Sequence, residues 1–213
     1  MSLGLIGTYT GSYRGDAPGF DDHTTELKFQ PVIPFKAWGV DNILRISMPY
    51  TLDGRGHTGP GDTTIFDLVV IHEDWGRWGI GPVMTFAGDD TASDQFVIGP
   101  AIGGVYAVSK TLKAGLFNQN VFGDDTSISQ VQPIVAYQLG GGWSLSAGDL
   151  QFVYDWEGGR WLSAPIGFQP GKVMPLGGQP LRFAINPQYN LLHDDGLSEW
   201  QVAASITLLA PSR

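Results

Sequence analysis

Apolar and polar side chains alternate along much of the chain, most clearly from Leu181 to Asn190. Successive side chains of a β-strand point to opposite faces, so this alternation predicts a strand with one apolar and one polar face. The apolar side of that segment carries Leu181, Phe183, Ile185, Pro187 and Tyr189. The last strand-like segment repeats the pattern, with Trp200, Val202, Ala204, Ile206 and Leu208 on its apolar side.

Twelve segments have this strand character. The Gly-rich turn between Leu176 and Gln179 predicts a hairpin that joins two of them. One segment, Ile65 to Ile71, is apolar on both faces except at Asp67, so its orientation stays open. The predicted strands cover residues 4–15, 24–37, 42–52, 62–72, 77–87, 95–108, 112–122, 128–139, 143–154, 160–172, 180–190 and 199–209.

The connections between these segments alternate between two kinds. Longer acidic or Gly-rich loops recur at intervals of about 35 residues, or twice that, and tighter turns lie between them. If each repeat is one up-and-down hairpin, all the long loops share one rim of the fold and all the tight turns share the other. The long loops contain Asp21-Asp22, Asp53 to His57, Asp89-Asp90, Asp124-Asp125, Asp155 to Gly159 and Asp194-Asp195.

An even number of antiparallel strands with unequal loops is typical of outer-membrane proteins. We therefore predict an all-β fold, an antiparallel up-and-down transmembrane β-barrel of about 12 strands that forms one domain over residues 1–213. Its apolar faces would contact lipid and its polar faces would line the lumen. A soluble β-sandwich or small barrel, with the apolar faces turned inward, would show the same alternation.

Tryptophan positions favour the membrane barrel. Tryptophan is enriched at both membrane interfaces, where it forms two aromatic girdles. We predict one girdle at the tight-turn rim, from Trp38, Trp75, Trp78, Trp143 and Trp200. Trp156 and Trp161 would belong to the girdle at the acidic-loop rim.

Composition agrees with a β-fold and narrows the function. The chain of 213 residues contains 30 glycines, 14 prolines and only 15% charged residues, which favours strands and turns over helices. It has no cysteine, so disulfides and thiolate metal sites are excluded. A net charge of −9 argues against nucleic acid as a partner, because phosphate binding needs a basic face.

Proline is the main physical objection to the predicted strands. A proline within a strand removes one donor from the hydrogen-bond ladder, so we expect bulges or strand ends there. The prolines concerned are Pro31, Pro34, Pro49, Pro82, Pro100, Pro133, Pro165, Pro170 and Pro187.

Several ordered motifs between about residues 25 and 209 resemble the MetA-pathway-of-phenol-degradation family of Gram-negative outer-membrane barrels. The resemblance implies a barrel, an outer-membrane location and a transporter role for small compounds, including hydrophobic or aromatic ones, and it carries over no catalytic residue. Two departures from such proteins are the absence of a visible secretory signal at Met1 to Gly4 and a final residue that is not aromatic. The motifs are 29–35 (FQPVIPF), 78–82 (WGIGP), 131–139 (VQPIVAYQL), 143–145 (WSL) and the segment 155–189.

Polar residues on the predicted strands would line the lumen if the apolar faces turn outward. They could form a constriction that selects solutes by charge and hydrogen bonding. Alternatively, they could be ion pairs that fill a narrow barrel. Arg45 and Arg182 are the strongest candidates for either role. The predicted lumen-lining residues are Glu26, Lys28, Gln30, Arg45, Asp67, Gln130, Gln132, Arg182, Asn186 and Gln188.

Other chemistry has little support in the sequence. The four histidines are scattered singly, and no nucleophile elbow or phosphate loop occurs, so neither an enzyme nor a cofactor is predicted. The acidic doublets could bind divalent cations or could simply be solvated loops.

Three functions are consistent with these patterns. The first is a passive outer-membrane channel or uptake protein for small compounds, with membrane lipid and a small solute as its partners. The second is a structural or adhesive barrel with an acidic cation-binding rim. The third is a soluble protein that binds a small ligand in an apolar pocket.

Overall fold

Strands account for nearly all the regular structure of this computed structural model, which describes residues 1–15, 23–54, 58–88 and 96–210. None of these residues forms a helix that could cross a membrane. The strands are β1 (Ser2–Tyr13), β2 (Thr24–Ala37), β3 (Val40–Gly54), β4 (Gly59–Pro60), β5 (Thr63–Glu73), β6 (Gly76–Phe86), β7 (Phe96–Ala107), β8 (Leu112–Phe122), β9 (Ser127–Gly140), β10 (Trp143–Ser146), β11 (Phe152–Asp155), β12 (Arg160–Ser163), β13 (Pro165–Gly167), β14 (Gln169–Leu176), β15 (Gln179–Asn190) and β16 (Ser198–Leu209).

The strands form one closed antiparallel barrel. Neighbouring positions of the barrel pair in chain order, and β16 returns to β1 with Leu5 opposite Ile206. Two barrel strands are interrupted: β10 and β11 share the ninth position, and β12, β13 and β14 share the tenth. Counted in this way, with β4 lying beside β3, the barrel has twelve strands, which confirms the predicted fold class.

The apolar faces point out of the barrel. Ile185, Ile206 and Val135 are 55%, 47% and 44% exposed, and they belong to a belt of large apolar side chains that covers the outer wall. Water-soluble monomers rarely expose an apolar surface of this extent, whereas a closed barrel in lipid must present one. The belt therefore faces hydrocarbon, and the soluble alternative is wrong.

Aromatic residues gather at both rims, with one correction to the prediction. Trp75 stacks with Tyr106 at the tight-turn rim, and their ring centroids are 6.1 Å apart. Trp161 meets Tyr154 edge-on at the acidic-loop rim. Trp200 lies at the acidic-loop rim and not at the tight-turn rim, because β16 starts there and runs towards the tight turns.

Several prolines coincide with gaps in the strand pairing. Bridges are missing opposite Pro31 between β2 and β3, beside Pro82 between β5 and β6, and beside Pro100 between β7 and β8. At Pro100 the Asn120 side-chain amide donates to the proline carbonyl at 3.4 Å. Pro133, in contrast, stays in register, so a proline does not always break the ladder.

Part of the barrel interior is apolar, contrary to the prediction of a uniformly polar lumen. Five buried residues form a cluster inside β5 to β8, where Phe66 and Phe117 pack with ring centroids 5.0 Å apart. Small residues opposite make room for these rings: a Cβ added at Gly103 would lie 2.6 Å from a ring carbon of Phe117. This side of the lumen is therefore filled with apolar side chains. The cluster consists of Phe66, Leu68, Val83, Ala101 and Phe117.

The outward orientation can be tested at Ile185, which lies near the middle of β15. We expect Ile185→Arg to lower the free energy of unfolding in lipid vesicles by about 2–4 kcal/mol, the cost of arginine on the lipid face of a barrel near the midplane. Denaturant titration followed by tryptophan fluorescence measures the change, and Ile185→Leu is the matched control. A loss within about 0.5 kcal/mol, typical of a water-exposed site, would contradict the lipid-facing assignment.

Candidate functional site

The ninth barrel strand is interrupted by a short segment, residues 147–151, which we call the inner segment. The sequence predicted one continuous strand over 143–154, but regular pairing stops after Ser146 and resumes at Phe152. Gly148 has a φ of +75°, a conformation that strongly favours glycine. The backbone N–H of Asp149 then donates to Asn186 Oδ1 of β15 at 3.2 Å, which ties the segment to the barrel interior.

Asp149 is the anchor of the inner segment. Its carboxylate forms an ion pair with Lys28 of β2 at 2.9 Å and accepts hydrogen bonds from Gln132 at 3.0 Å and Gln151 at 3.4 Å. Arg45 is close enough to interact with it electrostatically. A half-buried carboxylate with this many partners is well compensated, so the inner segment is held firmly inside the barrel.

A ladder of amide side chains supports the opposite side of the inner segment. Asn186 donates to the Phe168 carbonyl at 2.9 Å, and its own oxygen also accepts from Gln188 at 2.7 Å. Gln201 of β16 donates in turn to Gln188 at 2.9 Å. Asn186 and Gln188 both donate and accept, so the chain of bonds fixes the side chains that flank the lumen.

A cavity of about 480 Å³ lies between the inner segment and the wall formed by β1, β2, β15 and β16. Most of its lining side chains are hydroxyls, amides or charged groups. Three cationic side chains and two carboxylates give this lining a net charge of +1, although the whole chain carries −9. The charged residues are Glu26, Lys28, Arg45, Asp149 and Arg182.

The two arginines differ in how they are held. Arg45 lies over the rings of Phe66 and Phe117, at 4.4 and 5.5 Å from their centroids. Such stacking on aromatic faces is favourable and uses none of the guanidinium N–H groups. Arg182 donates to Gln169 at 2.9 Å. Arg45 therefore marks the boundary between the apolar cluster and the polar cavity, with donors available to a solute.

Eight of the ten residues predicted to line the lumen do line this cavity. Gln130 lies elsewhere in the interior, where it accepts a hydrogen bond from the buried Gln119 at 3.3 Å. The eight are Glu26, Lys28, Gln30, Arg45, Gln132, Arg182, Asn186 and Gln188.

The prediction for Asp67 is wrong. Its neighbours Phe66 and Leu68 point into the interior cluster, so Asp67 lies on the outward face of β5, opposite Leu44 of β3. The reason is that the interior of this strand is apolar, which reverses the usual relation between polarity and face.

Sequence reasoning missed Asp149 and the aromatic pair. The strand predicted over residues 143–154 includes Asp149, although the sequence Ala147-Gly148-Asp149 interrupts the alternation and indicates a break there. The inward orientation of Phe66 was harder to predict, because its segment is apolar on both faces.

The acidic rim shows no metal site in the parts of the chain that the structure describes, where no three His, Asp or Glu side chains form a cluster that could hold an ion. Asp21-Asp22, Asp89-Asp90 and His57 lie outside the described residues. Cation binding by the acidic loops, and with it the structural or adhesive role, stays a prediction.

Comparison with known proteins supports the fold and gives no sequence family. No protein-family model and no curated protein matches the chain, so the resemblance to the phenol-degradation family stays a prediction. Among solved structures, the NanC porin is similar over 98% of this chain and 100% of its own, with a TM-score of 0.59 and 13% identity. The KdgM porin in complex with disordered oligogalacturonate is similar over 99% of this chain and 100% of its own, with a TM-score of 0.59 and 10% identity.

These likenesses show a shared fold. Together with the apolar outer belt, the shared fold shows that the chain is a β-barrel of the outer-membrane kind.

Gly148 provides a test of the inner segment. A Cβ at Gly148 would lie 2.6 Å from Asn186 Cγ, in addition to the backbone strain of a positive φ. Gly39 also has a positive φ, of +82°, but a Cβ there would meet no atom within 4 Å. We expect Gly39→Ala to lower the free energy of unfolding by about 1–2 kcal/mol, the cost of left-handed strain alone, and Gly148→Ala to lower it by clearly more. Denaturant titration of both variants in lipid vesicles measures the difference, and equal losses would contradict close packing of the inner segment on β15.

Proposed function

We propose that the chain is a passive outer-membrane channel for small polar solutes, with a preference for anions. The observation that carries this proposal is the net positive, hydrogen-bonding cavity in an otherwise acidic protein. A lining with a net charge lowers the electrostatic barrier for solutes of the opposite charge. The porin fold of the barrel supports the channel class.

Arg45 is the main selectivity group in this proposal. It makes no hydrogen bond to any described residue, and its charge is held in place by the rings of Phe66 and Phe117. Asp149 offsets part of the positive potential through its ion pair with Lys28. The remaining attraction is modest, which suits conduction, because a solute must bind well enough to enter and weakly enough to leave.

The lining also indicates the chemistry of the solute. Its hydroxyl and amide groups suit solutes that carry several hydrogen-bonding groups. An apolar solute would displace water from these groups without replacing the hydrogen bonds, which costs free energy. The hydrophobic or aromatic compounds implied by the family resemblance fit this lining less well. The buried apolar cluster around Phe117 is packed by its own side chains, with the rings of Phe66 and Phe117 5.0 Å apart, and so offers such a compound no open surface.

Ion selectivity in planar bilayers tests the proposal. We expect the reversal potential under a salt gradient to show anion preference, and Arg45→Gln and Arg182→Gln each to shift it towards cation preference. Each substitution removes one positive charge and so reduces the net +1 of the lining to zero. Asp149→Asn should shift it in the opposite direction.

Lys110→Gln, in an exposed turn outside the cavity lining, is the matched control. It removes the same charge as Arg45→Gln and should leave the reversal potential unchanged. A cation-selective wild-type channel, or a barrel that inserts and conducts nothing, would overturn the proposal; the second result would favour the alternative in which ion pairs fill the lumen.

A further inference from the structure

An apolar groove of about 590 Å³ runs along the outer wall of β1, β15 and β16. Its floor consists of two small residues directly opposite each other, Gly7 and Ala204. Leu5 and Ile206 form another pair beside them, and Ile185 lies across from Ala204 on β15. A Cβ added at Gly7 would meet no atom within 4 Å, so the floor is open to the membrane.

One end of this groove carries a cation. Lys172 of β14 is paired with Phe183 on one side and with Trp143 on the other, and partners in a sheet share a face, so all three point outward. Its ammonium lies 4.9 Å from the centre of the Trp143 ring and donates to the Gly141 carbonyl at 2.6 Å. Gly141 is in the turn before β10, so the charge sits at the tight-turn rim.

These two features together indicate one kind of occupant. The groove lies in the lipid-facing belt and is almost wholly apolar, so it suits a hydrocarbon chain. Its volume is within the range of about 300–1,000 Å³ found for ligand sites. An ammonium has three donors, and the Gly141 carbonyl uses one of them, which leaves two for an anionic oxygen. Tryptophan beside the lysine is typical of the headgroup level of a membrane.

We propose that this groove is a binding site for one phospholipid of the leaflet at the tight-turn rim. One acyl chain lies over Gly7 and Ala204 between Leu5, Ile206 and Ile185, and the phosphate accepts hydrogen bonds from Lys172. The site is on the outer wall and shares no charged residue with the cavity of the lumen. It is therefore independent of the proposed channel function.

Native mass spectrometry of the full chain, delipidated in detergent and titrated with phosphatidylglycerol, tests this site. We expect one lipid to bind with higher affinity than the rest. Lys172→Gln should weaken that first binding step about tenfold or more, the effect of losing a charge-assisted hydrogen bond. Gly7→Leu should abolish the step, because the new side chain occupies the open floor of the groove.

Lys113→Gln is the matched control. Lys113 lies on the same tight-turn rim but on the face of β8 that carries Phe117, so it points towards the lumen. It should leave the first binding step unchanged. Equal affinities for wild type and Lys172→Gln would overturn the proposal, as would undiminished binding to Gly7→Leu. The Lys172 ammonium is exposed, so its replacement leaves the barrel intact, and Lys172→Gln decides the outcome even if Gly7→Leu fails to fold.

Discussion

The structure depends on one constraint: every backbone N–H and C=O group in the membrane interior must be hydrogen-bonded, and no water is present there to do it. Each peptide group at membrane depth must find its partner within the chain, because hydrocarbon offers none. The closed ring of twelve antiparallel strands satisfies this requirement. Once the ring is closed, the outward face is mainly apolar, and most charged groups line the interior or lie at the rims; Asp67 on the outward face of β5 is an exception. The locations of Arg45, Lys28 and Asp149 follow from that division.

The fold was largely predictable from the sequence because a barrel strand has a simple period. Apolar residues such as Phe183 and Ile185 recur every second position, and the loops recur every two strands, so each pattern supports the other. Trp200 was assigned to the wrong rim although its strand was right. Loop composition predicted the ends of the barrel better than single aromatic residues did.

The interior was less predictable, because the sequence does not reveal which strands face one another across the lumen. Phe66 and Phe117 lie on strands separated by β6 and β7, and only the curvature of the barrel brings them together. Asp67 was placed in the lumen by the rule that polar residues face inward, and that rule fails where the interior is apolar. The sequence predicts a strand at Gly148 and Asp149, because the partners that hold them inside the barrel, Lys28 and Asn186, are distant in the chain.

The seam between β1 and β16 also determines when the structure can form. Its paired residues, such as Ser2 and Leu209, are far apart in the sequence. Contacts between residues so far apart in sequence form late and slowly, because loop closure costs entropy before any bond compensates it. A partly assembled chain would therefore present two unpaired strand edges to its surroundings. Pairing of β1 with β16 removes both edges and so makes the fold compatible with a bilayer.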